Sequence, residues 1–140
     1  METKNKTITV EATVNAPIEK AWKCWNLPEH VTKWYFASDD WHAPRAENDL
    51  KAGGKFTIRM EAKDGSFGFD LNGTYDEVVV NKLISFALED GRKVKVSFSS
   101  AGNTTKVTEE FEPESQNPHE MQKTGWQNIM NNFKKYTENN

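Results

Sequence analysis

Alternation of apolar and polar side chains sets in at the start of the chain. Ile8, Val10, Ala12 and Val14 share one face of a run whose other face is Thr9, Glu11 and Thr13, the period-two pattern of a half-buried strand. Pro17 then opens a short helix with Ile18, Ala21, Trp22 and Trp25 on one side. Leu27-Pro28-Glu29 interrupts it and starts a second, with Val31 and Trp34 inward. From Ala37 to Gly54 there is no period, and the stretch reads as a long loop carrying Trp41, His42, Pro44 and the turn residues Gly53-Gly54.

A meander of strands follows. Phe56, Ile58, Met60 and Ala62 alternate with Thr57, Arg59 and Glu61, and Asp64-Gly65 makes a turn. The next strand runs from Phe67 to Val80 with Phe67, Phe69 and Leu71 on one face. Gly73 in its middle marks a bulge or bend. Asn81-Lys82, Asp90-Gly91 and Gly102-Asn103 then punctuate strands at Leu83–Glu89, Lys93–Ser100 and Thr105–Phe111. Beyond them, Asn117-Pro118-His119-Glu120 reads as a helix start, with Asn117 as N-cap and Glu120 completing a capping box. Trp126, Ile129, Met130, Phe133 and Tyr136 recur at helical spacing, with Met121 and Gly125 extending the stripe backwards. A helix of about twenty residues is roughly 30 Å long, and its apolar stripe needs a partner of that length. The expected architecture is α+β, a long C-terminal helix lying across a curved antiparallel sheet of about six strands. Two short helices follow the first strand, which pairs at a sheet edge with the last.

Composition adds bounds rather than identity. The 140 residues suit one domain spanning 1–140. A formal charge of −3, from 18 basic and 21 acidic residues mixed along the chain, gives no electrostatic footprint for nucleic acid or an anionic membrane. No apolar run approaches a bilayer span, and the first residues do not read as a signal peptide. The lone Cys24 excludes an internal disulfide and fits a reducing cytoplasm.

Several motifs, in their order along the chain, resemble a known family. They are Ala16-Pro17 with Trp22 and Trp25; Trp34-Tyr35-Phe36; Asp49-Leu50-Lys51-Ala52-Gly53-Gly54-Lys55-Phe56; Asp64-Gly65; Gly73-Thr74-Tyr75-Asp76-Glu77-Val78; Thr105-Lys106-Val107-Thr108; and Gly125-Trp126. The set is similar to the family named for the C-terminal domain of the activator of heat-shock protein 90 ATPase, within the helix-grip superfamily of birch-pollen allergens and lipid-transfer proteins. The resemblance implies a cavity between sheet and long helix, which in the wider superfamily holds lipids, hormones or polyketides and in some members hosts cyclase or hydrolase chemistry. It also implies a possible partner in a heat-shock ATPase chaperone, although the eukaryotic co-chaperone engages it through an additional N-terminal domain for which this chain has no room.

Residue chemistry points to binding more than to catalysis. There is no Gly-x-Ser-x-Gly elbow, phosphate-cradling loop or dinucleotide fingerprint. His30, His42, His119 and Cys24 lack metal-ligand spacing, so neither a metal nor a cofactor is expected. Aromatic and methionine side chains are abundant at inward positions, where core packing accounts for most of them. A curved sheet gripped by a helix nonetheless leaves a concave space, and small-molecule pockets are mostly apolar with a few polar groups. The candidate lining is Trp34, Trp41, Met60, Phe69, Phe98, Met121, Trp126 and Met130, for an apolar or amphipathic guest. Two polar residues join it. Strand phase puts Glu109 on the apolar face with Thr105, Val107 and Phe111, unless a slipped register turns it to solvent. His42 lies in the long loop beside Trp41, where a solvated histidine is the simpler alternative. The rival readings are a chaperone-interaction module and an acid/base enzyme using Glu109 or His42.

Overall fold

The computed structural model describes residues 7–140. Its elements are β1 (Ile8–Val14), α1 (Ile18–Asn26), α2 (Pro28–Val31), β2 (Trp41–Asn48), β3 (Lys55–Ala62), β4 (Gly68–Val79), β5 (Leu83–Leu88), β6 (Lys93–Ala101), β7 (Thr104–Phe111) and α3 (His119–Glu138). The seven strands form one antiparallel sheet in the order β1-β7-β6-β5-β4-β3-β2. β1 pairs with β7 from Ile8↔Phe111 to Val14↔Thr105, so the first strand lies beside the last, as the pattern implied.

The sheet has one strand more than the pattern suggested, because residues 41–48 are β2 rather than loop. A register shift between His42 and Arg45 hides it. Before the shift Ala43 is buried; after it, Ala46 and Asn48 are the half-buried positions while Arg45 and Glu47 are exposed. A bulge that switches parity in mid-strand erases a period-two signal. Pro44 sits at this irregularity on an outer strand, where a missing N–H is tolerated.

Elsewhere the pattern and the structure agree closely. Gly65, Gly91 and Gly102 take the positive φ of their turns. On β3 the outward Arg59 reaches Glu61 of its own strand at 2.8 Å and Asp70 across the pair with β4 at 3.4 Å, the ion pairing of a solvated face. Gly73 leaves room for the Phe56 ring, since a Cβ there would lie 2.4 Å from Phe56 Cε2. The bulge in β4 falls slightly later, between Tyr75 and Glu77.

The C-terminal helix packs on the face that carries Val10, Val14, Val107 and Phe111, all at most 1 % exposed. Trp126 stacks on Phe111 at 3.8 Å. Met130 and Phe133 are fully buried. Phe133 meets Trp25 at 4.8 Å and Trp34 at 5.0 Å, so α3 is welded to the short helices as well as to the sheet.

The start of α3 departs from the expected capping box. Pro118 is the N-cap and no side chain caps it. The Asn117 amide instead donates to Glu114. Gln122 folds back over the connection: its Nε2 donates to the Glu114 and Asn117 carbonyls, and its Oε1 accepts from the Glu114 N–H. Burying Gln122 rotates the first turn, which leaves Met121 61 % exposed instead of extending the apolar stripe. A Cβ at Gly125 would meet nothing within 4 Å.

Two substitutions on α3 should therefore move stability in opposite directions. Phe133→Ala is expected to cost about 3–5 kcal/mol in urea unfolding, as large cavities in filled cores do. Gly125→Ala should gain about 0.5–1 kcal/mol, by helix propensity and a restricted unfolded state with no new contact required. A loss for Gly125→Ala would mean that the helix face there is packed.

Candidate functional site

The interior is unequally filled. Beneath α3, Trp22, Trp25, Trp34, Phe98 and Phe133 form a ring cluster with centroids 4.8–6.1 Å apart. The Trp34 indole N–H donates to the Cys24 carbonyl at 2.9 Å, which fixes that ring between α1 and the turn after α2. All five rings are at most 7 % exposed.

The hollow lies on the other side of Trp25. Its lining comes from α1, α2 and the following turn (Trp25, Asn26, Pro28, Val31, Tyr35), from β2 to β5 (Ala46, Glu47, Asn48, Phe56, Ile58, Tyr75, Ile84, Phe86), and from Glu109 on β7. Counted as room for the centres of water molecules, it measures about 40 Å³. That holds a few waters and no more. No residue of α3 lines it. The hollow is thus roofed by the short helices, a correction to the expectation that a guest space lies under the C-terminal helix.

Strand phase puts Glu109 into this hollow. β7 is held between β1 and β6, with Val10 and Val96 opposite Glu109, and this double pairing excludes the slipped register. Glu109 is 3 % exposed and has no hydrogen-bond or ion-pair partner among the described residues. Burial alone pushes its carboxyl up to about 8, so at neutral pH it is mostly protonated and can donate. Tyr35 is also raised, by burial and then by the nearby Glu109 and Tyr75. Burial raises Tyr75 as well, with a hydrogen bond from Asn48 acting against it. Asn48 Nδ2 donates both to the Tyr75 hydroxyl at 3.1 Å and to the Asn26 carbonyl at 2.8 Å, tying β2, β4 and the end of α1 around the cavity.

The other candidate residues lie elsewhere. Trp34 and Phe98 belong to the ring cluster, Met130 to the contact under α3, and Trp126 to the stack on Phe111. Met60 is buried in β3 but does not reach the hollow. Trp41 and Phe69 meet Phe67 at the far corner of the sheet, where Phe67 is 60 % and Phe69 39 % exposed. His42 lies opposite Glu61 on the outer face, 3.7 Å from its carboxylate. Met121 faces solvent. Of the candidate set, Glu109 alone lines the hollow. Tyr75, Asn48, Asn26, Tyr35 and, at the mouth, Glu47 complete its polar part. Alternation through Leu71 and Gly73 could have placed Tyr75 inward; Asn48 was hidden by the bulge in β2. Among the described residues no cluster of His, Cys, Asp and Glu could hold a metal, and no helix is long and apolar enough to cross a membrane.

A buried, unpartnered carboxyl has a signature in stability against pH. Its folded value of about 8 lies above the ordinary 4.5, so the folded state keeps a proton that the unfolded chain releases between those values. Stability should therefore fall as pH rises from 4.5 to 8 and then level. Over that window the loss from this group is at most about 5 kcal/mol. Glu109→Gln should flatten the profile in urea unfolding at pH 5–8.5. Parallel profiles for the two proteins would mean that the carboxyl is not held neutral.

Comparison with known proteins agrees with this fold. No curated protein matches the chain. Among solved structures, the solution structure of an AHSA1-like protein from Aeromonas hydrophila is 42 % identical, with a TM-score of 0.90 over 96 % of this chain and 93 % of its own. The solution structure of a protein from Cytophaga hutchinsonii is 57 % identical, with a TM-score of 0.82 over 95 % of this chain and 92 % of its own. A crystal structure from Nitrosomonas europaea, at 16 % identity and a TM-score of 0.81 over 95 % of this chain and 94 % of its own, shares the fold. The family model described as activator of Hsp90 ATPase homolog 1-like protein matches residues 15–138, nearly the whole antiparallel sheet and all three helices, and the chain belongs to that family.

Proposed function

We propose that this protein binds a small apolar or amphipathic organic molecule in the hollow under α1 and α2, with the polar end of the guest on Glu109. The observation that carries the reading is a carboxyl 3 % exposed, without a partner, at the wall of an otherwise largely apolar cavity. A buried polar group with no partner costs about 1–3 kcal/mol or more, and a ligand that hydrogen-bonds to it recovers that cost. The lining runs from Glu109 out to the exposed Glu47 on β2, which places the mouth between α2 and β2. Both walls of that mouth are light. α2 has four residues and β2 is the outermost strand on its side of the sheet. Since the hollow is only about 40 Å³, anything larger than a few heavy atoms must part these walls. We place the protein in a reducing cytoplasm, in keeping with a lone, buried cysteine.

Titration with fatty acids, flavonoids and sterols, followed by amide shifts and tryptophan fluorescence, tests this reading. At least one class should give a saturable response, with shifts concentrated at Tyr35, Asn48, Tyr75 and Glu109. Shifts confined to α3, or silence from these classes and from small organic amines alike, would remove the site.

The family description and the exposed corner of Trp41, Phe67 and Phe69 favour a second reading, an apolar contact with a heat-shock ATPase chaperone. On that reading the protein stimulates the ATPase rate and a Phe67→Ala, Phe69→Ala double variant loses most of the effect. An unchanged rate at saturating protein would dismiss it.

A further inference from the structure

Resting on the ligand-binding reading, we propose that the guest is a small organic amine, bound as its ammonium ion with Glu109 as counter-ion and the surrounding aromatic rings as a cage. The wall composition carries the inference. Two carboxyl groups line the cavity, Glu109 inside and Glu47 at the mouth, and no Lys, Arg or His joins them. Five aromatic residues also line it, Trp25, Tyr35, Phe56, Tyr75 and Phe86. Phe56 is the hub of three of them, 4.9 Å from Phe86 and 5.3 Å from Tyr75 between centroids. Ring faces attract a cation within about 6 Å, most strongly where water is excluded. Acid groups, ring faces and no competing cation are complementary to positive charge.

The alternatives fit this wall less well. A carboxylate guest could accept from protonated Glu109 but would meet no cation to offset its own charge in a poorly solvated space. A neutral carbonyl or alcohol could bond to protonated Glu109 but would draw nothing from the ring faces beyond contact. An ammonium ion supplies both the charge and the N–H donors that Glu109 lacks, since its strand neighbours are Val10 and Val96. The net charge of −3 also favours the approach of cations.

The groups facing Glu109 set the pH behaviour. They are Tyr35 from the turn after α2, Tyr75 from β4 and Glu47 on β2; α1 presents Trp25 and Asn26, β5 presents Ile84 and Phe86, and α3 sends no residue into the lining. None of them titrates as a cation, so Glu109 is the group whose ionisation the ammonium ion requires. With its carboxyl raised to about 8, amine binding below that pH expels one proton from Glu109 to solvent. Affinity should therefore rise about tenfold per pH unit on approaching 8 from below.

Three probes of one shape test the assignment: benzylamine, benzyl alcohol and benzoate, titrated into the full chain and read by calorimetry and amide shifts. The amine should bind at least tenfold more tightly than the alcohol at pH 8, with shifts at the cavity lining, and benzoate should not bind. At pH 6 the amine should weaken about fiftyfold and release close to one proton per molecule bound. Glu109→Gln should bring the amine down to the alcohol's affinity. Alcohol or benzoate binding at the lining as tightly as the amine, an affinity that ignores pH, or an amine indifferent to Glu109→Gln would overturn the ammonium assignment and leave the cavity reading standing. No response at the lining from any of the three would overturn the amine assignment. Silence from the lipid-like panel as well would overturn the cavity reading. The wild-type comparison decides the matter even if the variant does not fold.

Discussion

The packing of Trp25 divides the molecule into a solid half and a hollow one. One side of its indole meets Phe133 of α3, Trp34 and Phe98, at centroid distances of 4.8, 4.9 and 6.1 Å. Another side forms a wall of the cavity. Because interiors are close-packed and transmit strain, the long helix cannot shift without moving that wall. α3 is a clamp in this arrangement. It seals the β1–β7 side of the sheet and holds α1 so that α1 and α2 can roof what α3 leaves uncovered.

Glu109 lies on the wall of the hollow half. On β7 it follows Thr105 and Val107 on the inward face, and both neighbouring strands hold it there. The Thr105 hydroxyl, equally inward, is satisfied by the Ala16 carbonyl at 2.9 Å. Glu109 receives nothing comparable. Glu109 thus stays bare beside a cavity that also presents two phenols, Tyr35 and Tyr75. The cost falls mainly on the folded state above neutral pH, where the proton it prefers to hold is removed.

Much of the architecture was legible in the sequence, because most strands here are half-buried and alternate cleanly. Val94, Val96 and Phe98, or Val107, Glu109 and Phe111, needed only a count of two. The inward phase of Glu109 followed from the same count. What escaped has a specific cause in each case. β2 was masked by a parity switch at Pro44. The first turn of α3 was misphased because Gln122, a polar residue, takes a buried place by bonding to the chain that precedes the helix. The apolar stripe of α3 is legible in sequence, but the bulk of the rings that meet it is not. Trp25, Trp34 and Phe133 fill the space that a helix–sheet gap suggests. Trp41, His42, Phe69 and Met121 looked like lining for a related reason: an apolar or loop position in sequence does not say on which side of a bulge or turn it ends.

The Glu109 carboxyl can be observed directly. Selective carbon-13 labelling of glutamate, with the Glu109 carboxyl shift followed from pH 4 to pH 10, measures its titration in the intact protein. The expected result is a midpoint near 8, well above the ordinary carboxyl value. A midpoint near the ordinary value of 4.5 would show the carboxyl solvated or paired, and the cavity would lose the feature that makes it a site.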